Sequence, residues 1–579
     1  MSTIELTDNA TKKAQSWLCD AVDEATRNEI ENLLANDPKG LLEAFYSDLE
    51  FGTGGLRGVM GVGSMRMNKY TVGMATQGLA NYIKSQFPHQ ATAVAIAYDS
   101  RNNSPFFAKT AADVLSANGI HVHLFSELRP TPLLSFAVRE LGCQAGIVVT
   151  ASHNPPEYNG YKVYWQDGAQ VLPPHDKGII AEVRKIENVA DVNFNGNNAL
   201  IHTISSKVEE AYLDKLNSII HAKEEIKAAN NLKIVYTSIH GSGISMVPQA
   251  LNSLGFQHVS IVEEQAVPDG NFPTVKSPNP EEHEALALAL KKAEDLGADL
   301  VLGTDPDADR VGLAVRNNEG KLVLLNGNQT GSLLVYYQLM QLKNKAALLP
   351  NHYVAKTIVT TDLIEDMAKA FGVNCYHTLT GFKYIAGVMG EREGKEIFVG
   401  GGEESYGYLV GEFVRDKDAV LSAVVMSEVA AWCSYHNRTL WDLLMEIYQQ
   451  FGLYHEQLLS ITIKGLDGVQ QIKNMMAQLR SNPPAFLGGV AVKEVIDVEY
   501  STITNLKDQS VKPFDLPQSN VLQFVLEDKS KISARPSGTE PKIKFYFSMC
   551  EEFKGPELYN EQVSLINQRM DQIKTELGV

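Results

Sequence analysis

Short apolar runs alternate with helix-patterned stretches along most of the chain, and this rhythm restricts the fold more than any other feature. Residues 92–98 (TAVAIAY) read as a buried strand. A helix is expected over 105–118, stopped by Gly119, then a strand over 120–125, a helix over 132–141 and a strand over 145–150. The pattern returns at 232–237, where a strand precedes a glycine-rich turn and a helix ending near Gly255. It continues with strands at 258–262 and 298–303 around a helix at 281–296. A third round has strands at 354–359, 375–376 and 397–399, with a helix from 382 between the last two. Strand–helix repetition of this kind calls for an α/β layer with a buried sheet, here in three related units without a close sequence repeat. The last part differs. Strands at 459–463, 490–500, 521–526 and 543–547, with helices at 469–480 and at the C-terminus, suggest a smaller α+β domain.

The 579 residues allow several domains at ~100–200 residues each. The expected division is 1–207, 208–322, 323–455 and 456–579. A net charge of −18 without a basic run argues against nucleic acid as a partner, but leaves room for local anion pockets. The five cysteines, Cys19, Cys143, Cys375, Cys433 and Cys550, are scattered and odd in number. They fit free thiols in a reducing cytoplasm better than disulfides or a zinc site. The polar N-terminus lacks an apolar signal core, and no run approaches the ~18 apolar residues of a membrane helix, so no membrane association is expected.

Four loops carry chemistry, one in each expected domain. The first, TASHNPPEYNG at 150–160, places Ser152 beside His153 on a turn stiffened by two prolines, with Lys162 shortly after. A serine hydroxyl needs activation to act as a nucleophile. Ser152 lies in no G-x-S-x-G elbow, which lowers the case for an esterase; the plainer alternative is a surface loop with a helix-capping serine. The second, GTDPDADR at 303–310, alternates Asp305, Asp307 and Asp309 and ends in Arg310. Three crowded carboxylates repel one another unless a hard divalent cation joins them. An EF-hand would need Gly at its sixth position and Glu at its twelfth, where this chain has Arg310 and Arg316. Mg²⁺ sharing its shell with a phosphate oxygen suits the set better than calcium.

The third loop, GGGEESYG at 400–407, offers Glu403 and Ser405 as acceptor and donor for sugar hydroxyls, on glycines that let backbone approach a ligand. A tight structural turn would read the same way. The fourth, RPSGTE at 535–540, combines Arg535, Ser537, Gly538 and Thr539 with Lys542 and Lys544 into an anion nest. It is no P-loop, because G-x-x-x-x-G-K-[ST] is absent. A further glycine-flexed stretch, GTGGLRG at 52–58, lacks the dinucleotide register and is read as presenting Arg57 to an anion.

A nucleophile, a metal loop, sugar-type polar groups and a phosphate nest together fit phosphoryl transfer on a sugar phosphate. TASHNPPEYNGYK, GTDPDADR, GGEESYG and RPSGTEPK resemble the four signature loops of the α-D-phosphohexomutase family, in the family's order. FGTGGLRG and EESYGYLVGEFVRDKDAV resemble its long branch, which holds phosphoglucomutases, phosphopentomutases and glucose-1,6-bisphosphate synthases. The resemblance implies three related α/β domains and a smaller C-terminal α+β domain around a central cleft. It implies a phosphoserine at Ser152 and Mg²⁺ held by Asp305, Asp307, Asp309 and a phosphate oxygen on Ser152. It implies interconversion of glucose 1-phosphate and glucose 6-phosphate through glucose 1,6-bisphosphate, which also serves as activator. Arg57, Lys162 and Lys383 match positions near the transfer site, either lysine being the general acid/base, and His153 positions the phosphoryl group. Substrate contacts fall to Arg310, Thr380, Gly381, Glu403, Ser405, Arg415, Arg535, Ser537, Gly538 and Thr539. The partners expected are small phosphosugars; no feature sets the oligomeric state, and a monomer is the default. Phosphomannomutase and phosphopentomutase activity are rivals within the class, a sugar-phosphate sensor and a metal-dependent phosphatase outside it.

Overall fold

The computed structural model describes residues 3–52, 54–229, 231–463, 468–537 and 541–579. Among these, the strands form four sheets in chain order. Helices Thr3–Ser16, Glu24–Asn36 and Pro38–Phe45 precede them and close on their own apolar cluster around Trp17, Phe45 and Tyr70.

The first sheet is centred on the parallel strands His121–Leu124, Ala93–Tyr98 and Ala145–Val149. Every residue of Ala145–Val149 is buried, as its unbroken apolar sequence demands. The chain then reverses, and Tyr158–Trp165 runs back antiparallel to it. The second sheet repeats the arrangement. Lys233–Thr237 lies parallel to His258–Ile261 and Leu300–Thr304, and Val311–Arg316 returns antiparallel. In the third, His352–Thr357 is parallel to Asn374–Thr378 and Ile397–Glu403, and Gly407–Val410 returns. The turns at 150–157, 305–310 and 404–406 therefore occupy the same place in three sheets. Each follows the C-terminal end of a parallel strand, where α/β sheets present their ligand-binding loops.

The C-terminal sheet is antiparallel throughout and larger than the four strands expected from sequence. Leu453–Thr462, Lys542–Glu551, Lys531–Pro536, Leu522–Leu526, Val490–Asp497, Thr502–Asn505 and Val511–Pro513 are joined in that order, with Phe486–Leu487 beside Val490–Asp497. Helices Gly468–Ser481 and Tyr559–Leu577 belong to the same part of the chain. One apolar cluster extends from Ala95 in the first sheet to Ile573 in the last helix, so the domains share a core. Among the described residues no helix is long and apolar enough to cross a membrane.

Candidate functional site

The turn after Ala145–Val149 holds Ser152 in the left-handed region, φ 52°, an unfavourable conformation for a residue with a side chain. Such a backbone costs on the order of 1–3 kcal/mol and persists only where its surroundings fix it. Ser152 N–H donates to Thr150 Oγ1 at 2.8 Å, and the Ser152 carbonyl accepts from Arg101 Nη2 at 2.6 Å. The result presents Oγ to the second domain's turn, where it donates to Asp305 Oδ2 at 3.0 Å and lies 3.1 Å from His153 Nδ1. Burial, with Arg310 and Arg57 nearby, lowers the His153 pKa well below 6.5, so the imidazole beside Ser152 is neutral at neutral pH.

Asp305, Asp307 and Asp309 are all but sealed from solvent, and one carboxylate oxygen of each lies within 4.8 Å of the others. Asp305 Oδ1 accepts from the backbone N–H of Asp309 and of Arg310, both at 3.1 Å, which orients Oδ2 toward Ser152. Left-handed Ala308, φ 50°, makes the tight turn that brings the alternate aspartates together. Burial and the two neighbouring carboxylates push the Asp305 pKa well up. Burial would raise Asp309 too, but Lys417, Lys162 and Arg310 hold it far below the usual carboxylate range. Lys162 Nζ donates to Asp307 Oδ2 at 2.7 Å and to Asp309 Oδ2 at 3.3 Å. Burial disfavours its charge, yet these carboxylates raise its pKa on balance. Two buried oxygens, Asp307 Oδ1 and Asp309 Oδ1, have no hydrogen-bond partner. Orphaned carboxylate oxygens in a three-aspartate set are the donors a hard divalent cation requires, so the residues fit such an ion.

A cavity of about 1010 Å³ opens over this floor and takes its lining from all four domains. Arg57, Ser152, His153, Lys162, Asp309, Arg310, Thr380, Gly381, Glu403, Ser405 and Arg535 all reach it, so the structure brings most of the expected site residues together. Asp305 and Asp307 lie behind Asp309, buried. Arg57 Nη1 bonds Asn154 Oδ1 at 3.4 Å, across the mouth of the serine turn. Glu403 Oε1 accepts from Gly381 N–H at 2.8 Å, which ties the sugar-type loop to Thr380 and Gly381. Arg310 pairs with Glu281 at 2.6 Å. Arg535 stands on strand Lys531–Pro536 beside Lys544 of the neighbouring strand.

Three expected residues fall elsewhere. Arg415 does not line the cavity: its side chain is 2% exposed and pairs with Glu393 at 3.0 Å, while its N–H donates to Ser135 Oγ. The cation that reaches the cleft from this segment is Lys417, 3.1 Å from Asp309 Oδ2. Its stem crosses Gly407, where an added Cβ would meet Lys417 Cδ at 2.0 Å. Lys383 is half-buried with its ammonium 5.2 Å from the Tyr384 ring centre, and burial lowers its pKa. Ser537 is described only at the loop's edge, its N–H donating to the Lys542 carbonyl at 2.7 Å. Gly538 and Thr539 lie outside the described residues.

Residues 48–190, 210–320 and 326–451 match, in order, the alpha/beta/alpha domains I, II and III described as phosphoglucomutase/phosphomannomutase. The chain belongs to the phosphoglucomutase/phosphomannomutase family. It is therefore an enzyme of the isomerase class, an α-D-phosphohexomutase by family. A phosphoglucomutase of Staphylococcus epidermidis is 38% identical over 543 residues, which cover 93% of this chain and 97% of that one. Among solved structures, parafusin from Paramecium in its open form superposes with a TM-score of 0.68 at 18% identity, over 92% of this chain and 96% of that one. A Thermus thermophilus protein described as a putative phosphomannomutase gives 0.66 at 22%, over 90% and 99%. At such identities the two structures speak to the fold alone.

Within this phosphohexomutase site, three contributors escaped the sequence reading. Arg101 lies under the serine turn, Lys417 beside the aspartates, and Glu281 beside Arg310. Lys417 was within reach, since it stands between Asp416 and Asp418 in a quoted segment. Asp99 and Arg101, an opposite-charge pair directly after a buried strand, were the remaining signal.

Proposed function

We propose that the chain interconverts glucose 1-phosphate and glucose 6-phosphate by way of a phosphoserine at Ser152 and a glucose 1,6-bisphosphate intermediate. The observation that carries this reading is Ser152 Oγ, 3.0 Å from Asp305 Oδ2, on the floor of a cleft walled by four domains. Asp305, Asp307, Asp309 and a phosphoryl oxygen on Ser152 would hold the ion, taken to be Mg²⁺. When bound, it offsets negative charge on the transferring group.

The chain's own residues do the rest. Ser152 carries the phosphoryl group, gives it to O6 of the 1-phosphate, and takes back the group on O1 after the bisphosphate has turned over. His153, neutral, orients the group from one side, and Arg57 and Arg310 offset its charge from the mouth of the cleft. Either lysine serves to hold the proton at the transferring oxygen: Lys162 stands on the cleft wall beside Asp307 and Asp309, and burial lowers the pKa of Lys383 toward the range a general base needs. Glu403 and Ser405 grip sugar hydroxyls. Arg535, with Ser537, Gly538, Thr539 and the neighbouring lysines, holds the phosphate that is not reacting. Both sugar orientations must use these grips, so the grips act on groups the two orientations share. Enclosure keeps water from the phosphoserine. Five free thiols support a reducing, cytoplasmic setting, and a monomer is kept as the default state. The four-domain scheme is kept, with the division at 322 moved past Leu325, so that Leu322–Leu325 stays with Val311–Arg316, and the one at 455 moved ahead of Leu453, so that Leu453–Thr462 stays in the last sheet.

The test is a coupled assay with glucose 1-phosphate, Mg²⁺ and a trace of glucose 1,6-bisphosphate, beside mannose 1-phosphate and ribose 1-phosphate. Turnover of glucose 1-phosphate well above both others supports the proposal. Preference for ribose or mannose 1-phosphate would move the activity within the class. Steady release of inorganic phosphate would make the chain a phosphatase, and no turnover of any sugar would leave a sensor.

A further inference from the structure

The peptide groups on both sides of Ser152 trace back to one buried ion pair. Asp99 and Arg101 stand just beyond strand Ala93–Tyr98, next to the serine turn, and both side chains are fully buried, with Arg101 Nε 3.5 Å from Asp99 Oδ2. On one arm, Asp99 Oδ2 accepts from Thr150 Oγ1 at 2.6 Å, and Thr150 Oγ1 accepts from Ser152 N–H at 2.8 Å. On the other, Arg101 Nη2 donates to the carbonyls of Ser152, at 2.6 Å, and of Asn154. Arg101 Nη1 donates to those of Pro155, at 2.9 Å, and of Tyr158, at 3.0 Å. Four carbonyls of one turn are drawn onto a single guanidinium, and the left-handed Ser152 points its Oγ the other way, toward Asp305. The ring of Phe272, from the domain that supplies the aspartates, covers this guanidinium 5.1 Å from its centre.

We infer that Asp99 and Arg101 are a positioning pair for the reaction: they set the direction of the Ser152 oxygen without touching substrate. A planar fork suits the task. A lysine ammonium has three donors at a point and cannot face four separated carbonyls and a carboxylate together. In-line transfer is sensitive to placement, since an error near 1 Å lowers rate ~100-fold without weakening binding. The pair therefore acts on kcat and on formation of the phosphoserine, and not on KM. Phe272 links it to the second domain, so the serine and the aspartates are positioned against each other by two contacts instead of one.

This inference rests on Ser152 being the phosphoryl carrier, and the test separates the two. Kinetics with glucose 1-phosphate, the phosphoserine fraction by intact mass, and Tm are measured for Ser152→Ala, Arg101→Lys, Thr150→Val and Thr150→Ser. Expected for Arg101→Lys is a ~100-fold loss of kcat with KM within about twofold. Thr150→Val cuts the second arm while keeping both charges, and should lose about tenfold in kcat; Thr150→Ser, which restores the hydroxyl, should recover it. A kcat unchanged in both Thr150→Val and a folded Arg101→Lys overturns the inference while Ser152→Ala remains inactive. Equal losses in Thr150→Val and Thr150→Ser overturn it as well, because only volume would then matter. Activity in Ser152→Ala would instead remove the reading beneath it. Should Arg101→Lys fail to fold, the two threonine variants decide alone.

Discussion

The seam among the first three domains and the seam between the third and fourth are made of different chemistry. In the inner seam, hydroxyls donate to buried carboxylates: Thr131 to Asp307 at 2.9 Å, Tyr164 to Asp416 at 2.6 Å and Tyr212 to Asp418 at 2.8 Å. Backbone bonds from Val311 to Tyr406 and from Ala419 to Ala308 add to it. The outer seam sets an apolar contact of Ile358 and Val359 with Val521 and Tyr546 beside ion pairs, Lys531 with Asp362 at 2.7 Å and Lys529 with Asp366 at 3.1 Å, whose aspartates are 27% and 22% exposed. Pairs within reach of solvent contribute ~0–1 kcal/mol and weaken with salt. The proposed transfer groups thus sit at a seam held by buried hydroxyl–carboxylate bonds and by the buried pairs of Lys162 and Lys417 with Asp309, which salt screens less than exposed pairs. The wall that carries Arg535, the proposed phosphate grip, lies beyond this outer seam.

The largest effect belongs to the inner side. Ser152→Ala should lower kcat on the order of 10⁴-fold or more and abolish the phosphorylated mass, with Tm unchanged. Asp307→Asn removes a ligand charge and weakens the bond from Thr131, so kcat should fall ~10²–10³-fold and Tm should drop as well. A native Tm in that variant would show that the inner seam does not lean on this carboxylate. Across the cleft, Arg535→Ala should raise KM for glucose 1-phosphate ~10–100-fold with kcat nearly intact, the signature of lost uniform binding. If kcat fell in step, the two sides would not divide as described.

Two smaller effects test the seams themselves. Raising salt from about 0.05 to 0.5 M should raise KM of the native enzyme a few-fold, and Lys531→Met should start from the higher KM and respond less. Glu428 tests the inner seam by pH. It is buried, accepts from the N–H groups of His221 and Ala222 and from Tyr337 Oη, and burial pushes its pKa up to about 7 from the ordinary 4.5. A carboxyl with a raised pKa takes up a proton on folding, so it lowers stability as pH rises from about 4.5 to about 7, with no further change above. Glu428→Gln should remove that part of the decline, gaining ~2–5 °C in Tm at pH 8 relative to pH 5 when compared with the native chain.

What the sequence made legible follows the same division. Parallel strands such as Ala145–Val149 are apolar from end to end, and the alternating aspartates are local in sequence, so both were read correctly as elements. The returning strand Tyr158–Trp165 was missed because Tyr158, Asn159, Gly160 and Lys162 break the apolar pattern that marks a buried strand. Lys531–Pro536 was missed for a similar reason, opening on a lysine and ending in Arg535-Pro536. At the site, Arg415 was named and Lys417 was not, because only the tertiary path over Gly407 shows which cation faces the cleft. The charge of Arg101 beside Asp99 is visible in the sequence, but its role is not, because the carbonyls it holds carry no residue identity.

The three repeated turns have a consequence for chain entropy. Each is pinned at both ends by strands of one sheet, and a loop closed over so short a contour has few conformations left to lose. The entropy of ordering the serine, the aspartates and the sugar-type loop is spent once, as the sheets form. Little of it is charged again at each turnover, so the binding energy of a small phosphosugar is not consumed in ordering these loops.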